Sequence, residues 1–303
     1  MNEFDADAPA PHPGLFPTPG PGERVTVMLA AFEGWNDAGE AATDALRFLR
    51  RAFAAQRVGS IDADDFYDFQ FTRPTVRQTG SGRRRIKWPT TKVSTARVEG
   101  QPVDLVFVQG TEPSYRWRAF TDELIEYVDD LDIDYLIVVG ALLADVPHSR
   151  PIPVTATSED DGLRERLNLE ASQYEGPTGI VGVFADAADH HGTPTLSLWA
   201  AVPHYVAQSP SPKAQLAILH RIEELLQIPL DTNELAEDAE AWERGVNELA
   251  TEDPEVAAYI HQLEEAKDTA DLPEASGESI AREFERYLKR RGKENPGRDN
   301  PAG

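Results

Sequence analysis

The chain has 303 residues, which is enough for one large domain or two modest domains with a buried core. Its 29 Lys and Arg against 53 Asp and Glu give a formal net charge of −24, so we expect it to bind neither nucleic acid nor anionic membrane. Cysteine is absent, which excludes disulfides and thiolate metal sites, and no segment has the roughly 20 apolar residues that cross a bilayer, so a cytoplasmic protein is expected.

Residues 1–22 predict a disordered leader. They are rich in Pro, Gly and acidic residues, and they carry too little apolar surface to offset the entropy lost on ordering. Their acidic residues stand where a secretory signal needs basic ones. The ordered part of the chain is therefore expected to begin at Glu23.

Four short apolar runs predict the strands of a sheet that is buried on both faces. They cover residues 25–32, 103–110, 135–144 and 195–202. Near-continuous apolar runs of this length, separated by amphipathic helices, are typical of parallel strands between two helical layers. Two more exposed strands are expected in residues 61–98, with RQTGSGRRR as their turn, so the sheet is predicted to be mixed and mainly parallel.

Helical periodicity follows each buried run. Asp37 and Glu40 form a capping-box pattern at the start of the first helix, and Ser211 followed by Pro212 marks the start of the last. The alternation of helices and buried strands predicts a three-layer αβα domain over residues 23–230.

Beyond this domain the composition becomes acidic. Residues 231–303 hold 20 acidic and 9 basic residues and contain helical patterns. We predict an acidic C-terminal helical extension over residues 231–290 and a disordered tail over residues 291–303.

Polar and aromatic residues follow the predicted strands, and in open α/β sheets ligands collect outside the strand carboxyl ends. The segment EGWNDAGEA does not fit a phosphate loop, because its carboxylates would repel the anion. Asp37 is most simply interpreted as a helix cap worth ~1 kcal/mol, and Trp35 as a packing or interface aromatic rather than a stacking platform. The predicted ligand or interface crevice consists of Glu33, Trp35, Asn36, Asp37, Glu112, Arg116, Trp117 and His204.

The loop after the third run holds the candidate catalytic residues Asp145, His148 and Arg150. An imidazole base oriented by a carboxylate would suit acid–base chemistry, whereas a buried Asp–Arg pair would only hold the shape of the loop. The adjacent His190 and His191 point to different sides of a helix, so neither a metal site nor a cofactor is expected.

Five motifs occur in order along the chain: GWNDAGEAA, DFYDFQFTRP, QGTEPSYRW, GALLADVPHSRP and GPTGIVGVFADAADHHGTPTLSLWAAVPHYV. In this order they resemble the PAC2 family, the proteasome-assembly-chaperone-2-like proteins, in its actinobacterial branch. The resemblance covers residues 23–290 and implies a phosphorylase/hydrolase-like fold with a helical extension. It brings no catalytic residues with it.

The resemblance also implies a homo-oligomer, a dimer or trimer, and a protein partner of the proteasome type. Docking through a C-terminal hydrophobic-Tyr-X tail is not expected, because the sequence ends in Asn300-Pro301-Ala302-Gly303. Two functions stay open: a non-enzymatic, self-associating binding or assembly-chaperone-like protein, and an enzyme or hydrolase acting on a nucleoside-like or polar metabolite in the crevice.

Overall fold

A computed structural model of the chain describes residues 13–80, 82–206 and 208–270. Within these ranges the strands are β1 (Val25–Glu33), β2 (Gln56–Ile61), β3 (Thr75–Gln78), β4 (Arg84–Lys87), β5 (Thr91–Arg97), β6 (Val103–Thr111), β7 (Tyr135–Ala144), β8 (Val154–Thr157) and β9 (Thr195–Pro203). The α-helices are α1 (Ala41–Ala52), α2 (Trp117–Asp130), α3 (Asp161–Leu167), α4 (Ile180–His191), α5 (Pro212–Leu226), α6 (Asn233–Glu252) and α7 (Pro254–Ala270).

Seven strands form one sheet in the order β2-β5-β6-β1-β7-β9-β8. At its centre β1 pairs in parallel with β6 and β7, and β7 pairs in parallel with β9. Outside this centre the pairings are antiparallel: β5 joins β6, the edge strand β2 joins β5, and the edge strand β8 joins β9. The predicted mixed sheet, and the four buried runs as its central strands, are confirmed.

The core lies on both faces of this sheet, because successive side chains of a strand point to opposite faces. One set of β1 side chains packs with α1 and α5, and the alternate set packs with α2 and α4. The three-layer αβα architecture is therefore confirmed. The two sets are Val27, Leu29 and Ala31 on the first face, and Met28, Ala30 and Phe32 on the second.

Part of the predicted leader lies against the domain. Leu15 is fully buried in the core beside α5, and its backbone N–H donates to the carbonyl of Leu225 at 2.7 Å. Phe16 packs beside it, with its ring centre 5.9 Å from that of Tyr135, and a compositional argument over 22 residues does not detect two such side chains. Residues 1–12 of the predicted leader lie outside the described residues.

The block at residues 61–98 folds differently from its prediction. β2 and β5 belong to the main sheet, whereas β3 and β4 pair only with each other in a separate two-stranded sheet. The RQTGSGRRR turn does join two exposed strands, but these strands do not extend the main sheet.

The acidic extension begins with α6 and α7, and α6 packs on α5 of the domain. Its predicted remainder, residues 271–290, and the predicted tail, residues 291–303, lie outside the described residues. No helix in the described part of the chain is both long and apolar enough to cross a membrane.

Leu15→Ala tests whether the segment before β1 is part of the core. We expect the free energy of unfolding to fall by about 2–4 kcal/mol, because the truncation leaves a cavity beside α5. Chemical denaturation measures the change, with the exposed Thr18→Ala as the matched control. Equal stabilities for the two variants would contradict the burial of Leu15.

Candidate functional site

The parallel centre of the sheet brings four strand ends to one edge of the molecule. β1, β6, β7 and β9 run in the same direction, so the segments that follow them start at the same edge. The segment after β1 lies beside β7, because the N–H of Ala141 donates to the carbonyl of Asn36 at 2.8 Å and Asp37 forms a parallel bridge with Ala141. The segments that carry the predicted crevice residues therefore start at a common edge of the sheet.

Asn36 and Glu112 fill the space between β1, β6 and the start of α4. The Asn36 Nδ2 donates to Glu112 Oε1 at 2.8 Å, and the backbone N–H of Ile180 donates to the same oxygen at 2.9 Å. The Glu112 carboxylate thus compensates the positive N-terminal end of α4. A Cβ at Gly179 would lie 2.2 Å from Asn36 Nδ2, so this contact requires glycine.

Asn36 is only 1% exposed, and its Oδ1 is buried without a hydrogen-bond partner in the described structure. A buried acceptor of this kind is costly, because it has lost water without gaining a donor. Since the Nδ2 is already held by Glu112, the amide has one acceptor free for a donor that reaches it.

Asp37 caps α1, but not as a capping box. Its carboxylate accepts the N–H of Ala42 at 2.8 Å, the N–H of Thr43 at 3.3 Å and the hydroxyl of Thr43. Glu40 makes no side-chain cap hydrogen bond, so the capping-box prediction is wrong. The reason is that Glu40 takes a left-handed conformation with φ 54° after a short 3₁₀ turn at Ala38–Glu40.

Burial changes the acidity of Asp37. It raises the pKa of this carboxyl to about 6, against the hydrogen bonds from Thr43 and Ala42 and the positive charge of Arg47, which lower it. The charged form at neutral pH is therefore held at a cost by the fold.

Glu33 at the end of β1 is paired with protein groups. Its carboxylate forms an ion pair with Arg47 of α1 and accepts the Thr111 hydroxyl at 3.3 Å. It links the ends of β1 and β6 to the outer helical layer.

Arg116 and Trp117 at the start of α2 make local contacts. The Arg116 guanidinium lies 2.7 Å from Asp65 and 5.5 Å from the centre of the Phe66 ring. Trp117 Nε1 donates to the carbonyl of Pro113 at 2.7 Å. These contacts fix the turn between β6 and α2.

Apolar side chains are exposed where β7 extends past its neighbour. β1 pairs with only the first part of β7, up to Val138, so Leu142 and Leu143 lie on a ribbon formed by β7 and β9 alone. Their exposures are 44% and 50%, and Trp35, on the neighbouring segment, is 67% exposed. We call Trp35, Leu142 and Leu143 the apolar rim.

The loop after β7 carries the predicted catalytic residues and contacts the acidic extension. His148 is buried: its backbone N–H donates to the Tyr205 hydroxyl at 2.7 Å, and its Nδ1 lies 2.9 Å from the same oxygen. Its Nε2 lies 3.2 Å from Asn247 Oδ1 on α6. Because an amide oxygen only accepts, Nε2 carries the proton and Nδ1 accepts from Tyr205.

Asp145 and Arg150 do not pair with each other. Arg150 forms two hydrogen bonds with Asp268 of α7, each at 2.7 Å. Asp145 accepts the Tyr259 hydroxyl at 3.1 Å and lies 3.2 Å from His204 Nδ1. The three candidates therefore reach different residues of the extension, and Arg150 also lies 3.6 Å from Glu264 of α7.

Aromatic rings complete this contact between domain and extension. The ring of His204 packs edge-on against Tyr205 at 5.7 Å and against Tyr259 at 5.6 Å between centres. Burial lowers the pKa of His148, against the hydrogen bond to Asn247, which raises it. The imidazole is thus neutral at pH 7, with both nitrogens bound.

The sequence did not point to Tyr259 or Lys213, although these residues and Tyr205 hold the extension in place. Lys213 Nζ binds the His148 carbonyl and the Glu243 carboxylate, each at 2.5 Å. The partners are separated by 30 to 118 positions along the chain, as the Lys213–Glu243 and Arg150–Asp268 pairs show, so no local spacing predicts them.

The metal-ligating side chains and the two surface depressions of the described residues lie away from any single site. In residues 13–80, 82–206 and 208–270, no group of three His, Asp or Glu side chains could hold a metal ion. Two open depressions of about 320 and 480 Å³ lie along α5. None of the predicted site residues lines either of them.

Asp37→Asn tests the buried charge at the start of α1. A folded-state pKa near 6, above the unfolded value of 3.8, means that the folded protein binds the proton more tightly. This residue therefore adds stability at pH 5 that is lost as the pH rises through 6. The stability of the variant relative to wild type should rise by about 1.4 kcal/mol between pH 5 and pH 7.5. Denaturant titrations at both pH values measure it, and an unchanged or falling difference contradicts the raised pKa.

Tyr205→Phe tests the contact between the domain and its extension. It leaves the buried His148 N–H and Nδ1 without a partner. Because His148 also contacts Asn247 of α6, we expect the free energy of docking of the extension to weaken by about 1–3 kcal/mol. Hydrogen exchange should accelerate in residues 233–270 and stay unchanged in the central strands. Tyr174→Phe, at an exposed tyrosine, is the matched control. Uniform acceleration across the whole chain would contradict a local docking role.

Comparison with known proteins agrees with this architecture. Residues 31–250 match the model of the PAC2 family. A PAC2 family protein from Streptomyces avermitilis is 51% identical, with a TM-score of 0.73 over 78% of this chain and 99% of that one. A proteasome-assembly chaperone homologue from Mycobacterium tuberculosis is 44% identical, with a TM-score of 0.71 over 77% of this chain and 99% of that one.

More distant structures share the fold alone. PbaA from Pyrococcus furiosus, an archaeal homologue of a proteasome-assembly chaperone, is 15% identical, with a TM-score of 0.54 over 82% of this chain and 97% of that one. No curated protein matches the chain. The family model covers well over half of the chain, and two relatives exceed 40% identity across nearly their whole length. The chain therefore belongs to the PAC2 family.

Proposed function

We propose that this chain is a non-enzymatic, self-associating binding protein that assists the assembly of a proteasome-type complex. The observation that carries the proposal is the contrast at the strand ends: Glu33, Asp37 and Glu112 are bound by the protein itself, whereas the apolar rim beside them is open to solvent. Such a surface suits a protein partner better than a polar metabolite.

The rim has the features of a protein-docking surface. Trp35 supplies a large aromatic anchor, and aromatic anchors carry much of the binding energy of protein interfaces. Leu142 and Leu143 are successive residues on paired strands, so they are held on opposite faces of the β7–β9 ribbon before a partner arrives. A rigid apolar surface loses little conformational entropy on binding.

The contacts of Asp145, His148 and Arg150 support binding rather than a reaction. Both nitrogens of His148 are occupied, and Arg150 is held by Asp268 in a two-bond pair. A general base needs a free nitrogen within hydrogen-bond reach of its substrate. In these positions the three side chains hold the extension against the domain.

The class of partner is suggested by a relative. A protein that is 44% identical, and matched over 99% of its length, bears the name of a proteasome-assembly chaperone homologue. We carry this over as the class of client, proteasome subunits, and place the contact on the domain surface at the rim.

A rim variant, Trp35→Ser combined with Leu143→Gln, tests the proposal. We expect its affinity for purified actinobacterial proteasome subunits to be at least about tenfold weaker than that of the wild type, because two apolar anchors are lost. Both residues are half or more exposed, so the thermal midpoint and the oligomeric mass should not change. Biolayer interferometry measures the affinity, and light scattering measures the mass.

Val58→Gln is the matched control for the rim variant. Val58 is similarly exposed but lies on β2, at the far edge of the sheet from β7 and β9. The proposal is contradicted if the wild type binds no proteasome subunit, or if the control weakens binding as much as the rim variant does. A monomeric wild type would contradict the self-association.

A further inference from the structure

The β3–β4 hairpin is a basic arm with exposed apolar side chains. We call residues 75–78 and 84–87 the arm. All eight are exposed, and the two strands pair only with each other. A two-stranded hairpin alone is at best marginally stable in water, so an arm of this kind is expected to gain from a partner surface. At its base, the Trp88 ring packs against Phe69 with 4.9 Å between ring centres.

The arm and its surroundings carry charge opposite to that of the whole protein. Residues 69–98 contain eight basic residues and no acidic residue, in a chain of net charge −24. In the described part of the structure, the cations of the arm form no ion pair; they are Arg77, Arg84, Arg85 and Lys87. Their counter-charges are therefore expected on another surface.

The strand register makes this arrangement unfavourable for an isolated arm. Arg77 lies directly opposite Arg85, and like charges at directly opposed positions destabilise a hairpin. On the other face Val76 lies opposite Ile86, with exposures of 64% and 58%. The arm thus presents Arg77, Arg85 and Lys87 on one face, and Val76 and Ile86 together with Arg84 on the other.

The acidic extension offers the complementary surface. Residues 233–270 hold twelve acidic and two basic residues. Where α6 meets α7, Glu248, Glu252 and Glu255 are exposed around Leu249, which is itself 63% exposed. No ion pair to these three carboxylates is found among the described residues. We call these four residues the acidic corner.

Among the described residues, the three carboxylates of the acidic corner lack ion-pair partners, as the cations of the arm do. Glu248 and Glu252 stand four positions apart on α6, where like charges repel each other on one face of the helix. Contact with a basic surface would relieve this repulsion and that between Arg77 and Arg85 together.

We propose that the arm of one protomer docks on the acidic corner of a second copy of this chain. This inference rests on the self-association proposed above and names the surfaces that make it. The contact joins two different surfaces, so it forms either twice about a two-fold axis or head-to-tail around a ring.

Two charge-reversal variants test the contact. The arm variant is Arg77→Glu with Arg85→Glu, and the corner variant is Glu248→Arg with Glu252→Arg. We expect each alone to weaken self-association at least tenfold, measured by sedimentation velocity over a concentration series. Mixing the two should restore association, because an intact arm then meets an intact corner and the reversed pair is again complementary.

The matched control is Arg51→Glu with Arg118→Glu, which makes the same change in net charge at two exposed residues outside the arm. It should keep the wild-type mass. The contact is overturned if the arm variant keeps the wild-type mass, if the mixture stays dissociated, or if the control dissociates too. A wild type that is monomeric throughout overturns the proposed self-association itself.

Salt dependence provides a test that needs no variant. Raising the salt concentration from about 0.05 M to about 1 M shortens the screening length several-fold. We expect wild-type self-association to weaken at least tenfold over this range. An assembly that is insensitive or strengthened would contradict a contact between these charged surfaces.

Discussion

The parallel pairing of β1 with β6 and β7 is the constraint on which the rest of the structure depends. Val25–Glu33 is held on both sides, and its alternate side chains enter two separate cores. A strand that is buried on both faces cannot shift by one residue without moving each set of side chains into the wrong core. The register is therefore fixed, and with it the edge at which the segments after β1, β6, β7 and β9 meet.

At that edge the chain separates polar from apolar surface. Asn36, Glu112 and the start of α4 close the space between two strands, and Asp37 and Glu33 are bound to α1. β7 and β9 continue further as a ribbon, which leaves apolar side chains without cover. The same strand alignment that brings the carboxylates together thus also produces the exposed rim. In other α/β proteins this edge holds a ligand, and here most of its polar groups already have partners within the protein.

Much of the fold could be predicted from the sequence because the buried runs are long and apolar. Each of the four central strands, and each helix between them, shows its own local pattern of apolar residues, and these patterns in order along the chain predict the mixed sheet. Leu15 could not be placed, since its burial depends on α5, more than 200 positions later. The arm was mistaken for part of the main sheet because exposed strands carry no pattern that tells which sheet they join.

The candidate site was predicted less completely. The crevice residues share an edge because parallel strands require it, but the roles of Asp145, His148 and Arg150 depend on α6 and α7. A cluster of Asp, His and Arg in a stiff loop has the same composition whether it serves chemistry or fastens a helix. Only the partners distinguish the two, and Asn247, Tyr259 and Asp268 are distant in sequence.

The central claim is that the strand-end rim is a protein-docking surface. A benzophenone photo-cross-linker at position 143, compared with one at position 58, tests it most directly in the presence of purified proteasome subunits. The account predicts a covalent adduct between position 143 and a proteasome subunit, and little or none from position 58. Equal adducts from both positions, or no adduct from position 143, would contradict it.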